Sequence, residues 1–104
     1  MHYVVLGDHS AEVCPMSNAT TKALMLEVGP QIPKIAEKHN VTIVSGPFVS
    51  REHTAVIILE AGSGEDIDAF LLESRLPQWN RLHIMPSQLM QEGMKEVGES
   101  VTLF

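Results

Sequence analysis

The chain has 104 residues, 44% of them hydrophobic and 19% charged, with a formal net charge of -6 and one cysteine. That length and apolar content fit one domain with its own core and exclude disorder, and no apolar run approaches the roughly 20 residues of a membrane-spanning helix. With 13 acidic against 7 basic side chains a phosphate backbone is repelled, so neither nucleic acid nor a membrane is an expected partner. A lone cysteine forms no internal disulfide, and MHYVVLGDHS has neither the basic region nor the cleavage site of a secretory signal, so a globular protein in a reducing, cytoplasmic setting is expected.

Taken in chain order, Tyr3-Val4-Val5-Leu6 reads as a first strand closed by Gly7 and Asp8. After an irregular stretch from His9 to Met16, Ser17 or Asn18 supplies a helix cap. Ala23, Leu24, Val28, Ile32, Ile35 and Ala36 follow at helical spacing, and Gly29-Pro30 with Pro33 predicts a kink or break near Val28. A second strand starts at Val41 and runs through Gly46-Pro47-Phe48-Val49. The residues Ser50-Arg51-Glu52 turn into a third strand, His53 to Leu59. Ser63 and Asp66 form a capping arrangement for a helix carrying Ile67, Phe70 and Leu71, which Pro77 ends. Arg81 to Met85 is a fourth strand stopped by Pro86, and Ser87 caps a last short helix with Met90, Met94 and Val97 on one face.

The order β-α-β-β-α-β predicts an α+β, ferredoxin-like domain spanning residues 1–104: a four-stranded antiparallel sheet with helices on one face, plus a short C-terminal helix. The strands Val4-Val5-Leu6 and Ala55 to Leu59 do not alternate apolar with polar as a half-solvated antiparallel sheet does. Each large aliphatic left exposed forgoes roughly 1.5 to 3 kcal/mol of burial, so the open face needs a cover. A second copy packing sheet to sheet is one solution, giving a homodimeric α/β barrel; the C-terminal helix folded across that face is the other.

In this topology the end of strand one, the hairpin and the approach to strand four share one edge. That edge gathers Asp8, His9 and Cys14, then Arg51, Glu52 and His53, then Trp79, Asn80 and Arg81. Cys14, read as lying just before a helix start, is the leading candidate, because a helix N-terminus favours a thiolate. With His9 and His53, and Met16 as an optional weak ligand, Cys14 suits copper, zinc or iron. The same Cys14 and His53 are candidates for a nucleophile and base; an inert apolar cysteine is the plainer alternative. Trp79 and Asn80 are candidate pocket walls, and Arg51 is a candidate anion holder or a solvated hairpin charge. His2 and His83 lie on neighbouring strands, their face unassigned, and His39 suits a helix C-terminus. No phosphate-binding glycine loop, Cys-x-x-Cys or His-Glu-x-x-His is present.

The order of elements, the stretch Val44-Ser-Gly-Pro-Phe-Val49, the strand His53 to Glu60 and the segment Asp68-Ala-Phe-Leu-Leu resemble the dimeric α/β-barrel superfamily over residues 1 to 90. Its members include muconolactone-isomerase-like, YCII-related and GYD-type proteins and antibiotic-biosynthesis monooxygenases. The resemblance implies a sheet-to-sheet homodimer with a pocket between sheet and helices or inside the barrel. It carries no reaction across: the first-helix histidine of the YCII-related group has no counterpart between Ala23 and Glu37, and Trp79, Asn80 and His83 are crowded where haem-degrading relatives disperse such residues.

Three functions compete on these residues. The first is a small-molecule-binding protein or a cofactor-independent enzyme, isomerase or oxygenase-like as the superfamily suggests, with its pocket at the edge of His9, Cys14, His53, Trp79 and Asn80. The second is a metal-binding protein using His9, Cys14 and His53. The third is a non-catalytic assembly or regulatory module.

Overall fold

A computed structural model describes all 104 residues. Four strands, β1 (His2–Asp8), β2 (Thr42–Val49), β3 (Thr54–Glu60) and β4 (Arg81–Ser87), form one antiparallel sheet in the order β2-β3-β1-β4. The helices are α1 (Ala19–Val28), α2 (Ile32–Lys38), α3 (Gly64–Ser74) and α4 (Met90–Glu99). The result is an α+β domain compatible with a ferredoxin-like fold.

Local chemistry sets the element ends. Asn18 caps α1, its Oδ1 accepting from the Thr21 amide at 3.0 Å. The break expected near Val28 is present: Gly29 to Gln31 form a 3-10 turn between α1 and α2. Pro33 sits in the first turn of α2, where its missing N–H would have had no intrahelical partner. Ser63 caps α3 by accepting from the Asp66 amide at 3.2 Å, with Glu65 and Asp66 placed to complement the helix dipole. Arg75 ends α3 with φ 63, and Pro77 falls in the 3-10 turn Leu76–Gln78.

The core lies between the sheet and α1 to α3. Phe70 and Ile67 of α3 are fully buried, and Leu59, also fully buried, faces them from the sheet with Tyr3, Val5 and Ile57. The alternation along β1, with Tyr3, Val5 and Gly7 buried and His2, Val4, Leu6 and Asp8 not, separates the two faces. Register carries the separation across the sheet. On the open face Phe48, Val56, Leu6 and His83 form one cross-strand row, and Ser45, Ile58, Val4 and Met85 the next. His2 and His83 therefore both belong to the open face. There His2 Nε2 lies 3.8 Å from Glu60 Oε2 and His83 Nε2 lies 3.5 Å from Asp8 Oδ2. Gly46 is required in β2, because its φ is +90 and a β-carbon there would come within 2.7 Å of the Val56 carbonyl oxygen.

Three expectations for the C-terminal part are corrected. Pro86 does not stop β4, which runs to Ser87; Pro86 pairs with Tyr3 on an edge strand, where the absent amide donor costs no ladder bond. Ser87 does not cap α4: it is the last residue of β4 and its hydroxyl donates to the Met85 carbonyl at 2.8 Å, while Leu89 takes the cap position without a side-chain bond. Nor does α4 cover the open face, for it buries none of its residues, and Met90 and Val97 are 80% and 68% exposed. No helix is long and apolar enough to cross a membrane.

Candidate metal centre

The β1–β3 ladder extends one step past the regular strands, and this step builds the site. The His9 amide donates to the His53 carbonyl at 3.1 Å. The two imidazoles meet edge to face with ring centres 5.3 Å apart. His53 is not the first residue of β3 but the last of the preceding turn, with φ 61. That left-handed conformation is uncommon outside glycine and costs of order 1 to 3 kcal/mol unless the surroundings hold it, a form of strain that gathers at functional sites. Ser50 supplies the hold: its amide donates to the Thr54 carbonyl at 2.8 Å, and its hydroxyl accepts from the Glu52 and Thr54 amides.

Cys14 arrives from the loop after β1 and is 7% exposed. It lies four residues before the Asn18 cap, in a turn of its own, so the helix-dipole argument for its thiolate does not apply. The turn is closed through the Cys14 carbonyl, which accepts from the Ser17 and Asn18 amides at 2.9 and 2.8 Å. The Ser17 hydroxyl donates to the Ala11 carbonyl, and Asn18 Nδ2 donates to the Glu12 carbonyl at 3.0 Å. Asn18 thus starts α1 with its oxygen and pins the cysteine loop with its nitrogen.

The sequence candidates converge in part. One ligand atom each from His9, Cys14 and His53 lies within 4.8 Å of the other two. Donors around a tetrahedral ion at zinc-ligand bond lengths stand about 3.3 to 3.8 Å apart, so the three are close to a chelating arrangement. Met16 is outside it, as a residue 94% exposed. Arg51 is exposed in the turn and forms no ion pair. Trp79 stacks obliquely on His9 at 5.1 Å, and its indole forms one wall of an apolar cleft between sheet and helices. The same grouping puts the Cys14 thiol, the candidate nucleophile, within 4.8 Å of a ring nitrogen of His53, the candidate base.

Asn80 has the role that sequence reasoning missed, although it was singled out as a wall. Its Nδ2 donates to the Leu76 carbonyl at 3.3 Å, a partner that accepts only, and this fixes which end of the amide faces the site. The Oδ1 then faces His9 Nδ1 at 3.0 Å and must receive a proton from it. The proton in this bond is therefore on His9 Nδ1, and in the neutral imidazole that tautomer leaves the lone pair on Nε2. That Nε2 is buried and has no hydrogen-bond partner, a costly condition for a polar atom in a folded domain. The helical spacing of Leu76 and Asn80 was a visible signal of the first bond; nothing local indicated the second, across 71 positions of chain.

The other histidines serve elsewhere. His39, at the end of α2, and Lys38 both reach Glu73 of α3, at 3.2 and 2.7 Å. These two hydrogen bonds, Lys38 first, hold the Glu73 carboxyl below its ordinary value of 4.5. Compared with known proteins, the chain matches no family model and no curated sequence.

Proposed function

We propose that this protein binds a single transition-metal ion through His9, Cys14 and His53. The observation that carries the reading is the buried, unpartnered Nε2 of His9, in a ring oriented by Asn80 and grouped with a buried thiol and a second imidazole. A metal-ligating histidine characteristically donates its other N–H to an outer acceptor, and Asn80 Oδ1 is such an acceptor. One soft thiolate and two imidazoles suit zinc or copper(I). The iron alternative is less well matched, since non-haem iron favours two histidines with a carboxylate and this cluster has none. Three protein donors leave a fourth position open, the arrangement of zinc sites that act on a substrate. A thiolate ligand is preserved in a reducing, cytoplasmic setting.

The domain carrying the site acts, in this reading, as a ferredoxin-like homodimer closed through the open sheet faces. Val4, Leu6, Val56 and Ile58, with Phe48 61% exposed and Met85 40% exposed, form a contiguous apolar surface that α4 leaves uncovered. Elemental analysis of freshly purified protein, together with its mass in solution, tests both parts. The expected result is one zinc or copper per chain in a particle of twice the chain mass. Protein that is metal-free and takes up neither zinc nor copper(I) refutes the metal reading.

A further inference from the structure

The cleft beside the site is a second feature without an assigned role. It has a volume of about 90 Å³ and is walled by Val5 and Ile57 from the sheet, Leu24 and Val28 from α1, and Leu82 and Trp79 from the β4 side. Besides the Trp79 indole, two polar side chains reach it, and both already make hydrogen bonds. Ser74 donates to the Leu71 carbonyl at 2.6 Å and accepts from the Leu76 amide. Asn80 spends its amide on Leu76 and His9. A molecule in this cleft therefore meets mostly hydrocarbon, with the Trp79 indole N–H and the second Asn80 Nδ2 proton as the side-chain donors not engaged elsewhere.

The cleft also points along the strands toward the three donors. Gly7 and Ala55, a cross-strand pair, line it; His9 and His53 lie two residues farther along the same two segments, a step of roughly 7 Å in extended chain. Trp79 and Asn80 belong to both, lining the cleft while touching His9. A β-carbon on Gly7 would come within 3.1 Å of Leu82 and 3.4 Å of Asn80 Oδ1, so glycine leaves room at this junction for the Asn80 amide.

We infer that the cleft is the apolar subsite of the metal centre, selecting a small uncharged molecule with a hydrocarbon tail of about four carbons and one metal-ligating polar head. This inference rests on the metal reading. The short tail follows from the small size of the cleft, about 90 Å³, which takes a chain of a few carbons and nothing bulkier. The polarity follows from the walls, which are mostly hydrocarbon, since an ionised or multiply hydroxylated tail would lose more bonds to water than it could regain. The head is directed to the open coordination position because that end alone carries a buried polar atom without a partner.

Three probes separate the parts: 1-pentanol, a tail without a chelating head; acetohydroxamate, a chelating head with almost no tail; and pentanohydroxamate, with both. Trp79 is the only tryptophan and lines the cleft, so its emission reports occupancy, and calorimetry supplies the affinities. On zinc-loaded protein pentanohydroxamate should bind at least tenfold more tightly than acetohydroxamate, since three buried methylenes are each worth roughly a fourfold gain. Pentanol should shift Trp79 emission with or without zinc. Leu24→Phe and, separately, Leu82→Phe should remove the tail's advantage while leaving acetohydroxamate affinity unchanged; two variants from different elements are used so that failure of one to fold does not decide the matter. Equal affinities for the two hydroxamates, or no Trp79 response to pentanol, overturns the inference. Protein that fails to hold zinc yet responds to pentanol refutes the metal reading, and with it the proposed head group, while leaving the cleft an apolar site.

Discussion

Replacing Asn80 with alanine should weaken zinc binding by about 10- to 100-fold, the range over which loss of an outer partner of a ligating histidine acts. The magnitude has a structural origin. Asn80 Oδ1 is the only acceptor for His9 Nδ1, at 3.0 Å, and its Nδ2 bond to Leu76 keeps that oxygen in place. Without it the proton of His9 is free to move to Nε2, the atom needed as a ligand, and the ring is free to rotate on its Trp79 platform. Competition against a chromophoric chelator at fixed pH measures the affinity. Nitrogen-15 shifts of the His9 ring provide a readout that a merely structural role would not move: wild-type protein without metal should show Nδ1 protonated, and Asn80→Ala a mixture of tautomers. Asn80→Asp preserves an acceptor and should restore both properties. An unchanged zinc affinity in Asn80→Ala, with the His9 tautomer also unchanged, would refute the reasoning.

Phe70 is fully buried in the core, and Phe70→Ala should cost about 3 to 5 kcal/mol in urea unfolding of the metal-free protein; a loss under 1 kcal/mol would contradict the packing. The double change Phe48→Glu with Met85→Glu places charge at two exposed open-face positions and should yield a folded monomer by sedimentation and circular dichroism, whereas a persistent dimer would place the interface elsewhere. The Lys38 and His39 bonds lower the Glu73 pKa, so their contribution to stability is present above the ordinary value of 4.5 and is lost as pH falls through the lowered one. Comparing melting curves of wild type and Glu73→Gln should show a small gap near neutrality that closes on acidification; a gap that widens would reverse the assignment.

The sequence carried the topology because its signals are local and redundant. β-branched runs marked the strands, Asn18 and Ser63 marked helix starts, and Gly29-Pro30 marked a break, each a chemistry readable within a few residues. The edge shared by His9, Cys14 and His53 then followed from topology, because antiparallel order brings the end of β1 to the start of β3. Errors arose where a residue type permits more than one setting. Pro86 tolerates an edge strand, so its reading as a stop failed; Ser87 can bond its own strand as readily as cap a helix. Cys14 stands close to a helix start in sequence, but the turn Pro15–Ser17 separates it from the Asn18 cap and hence from the helix dipole. The left-handed His53 and the bond from Asn80 to His9 depend on tertiary neighbours and leave no local trace. The cleft was equally hidden, since Leu24, Val28 and Ile57 have the spacing of core residues whether or not the packing behind them is complete.

Cobalt(II) titration of the purified wild-type chain, beside Cys14→Ala and His9→Ala, tests the metal assignment most directly, because a thiolate ligand adds an intense sulfur-to-cobalt charge-transfer band to the spectrum. Saturation at one cobalt per chain, with that band present in wild type, absent in Cys14→Ala and far weaker in affinity in His9→Ala, is the result expected. A wild-type spectrum without the thiolate band, or one unaltered by loss of Cys14, would contradict a metal centre built from His9, Cys14 and His53.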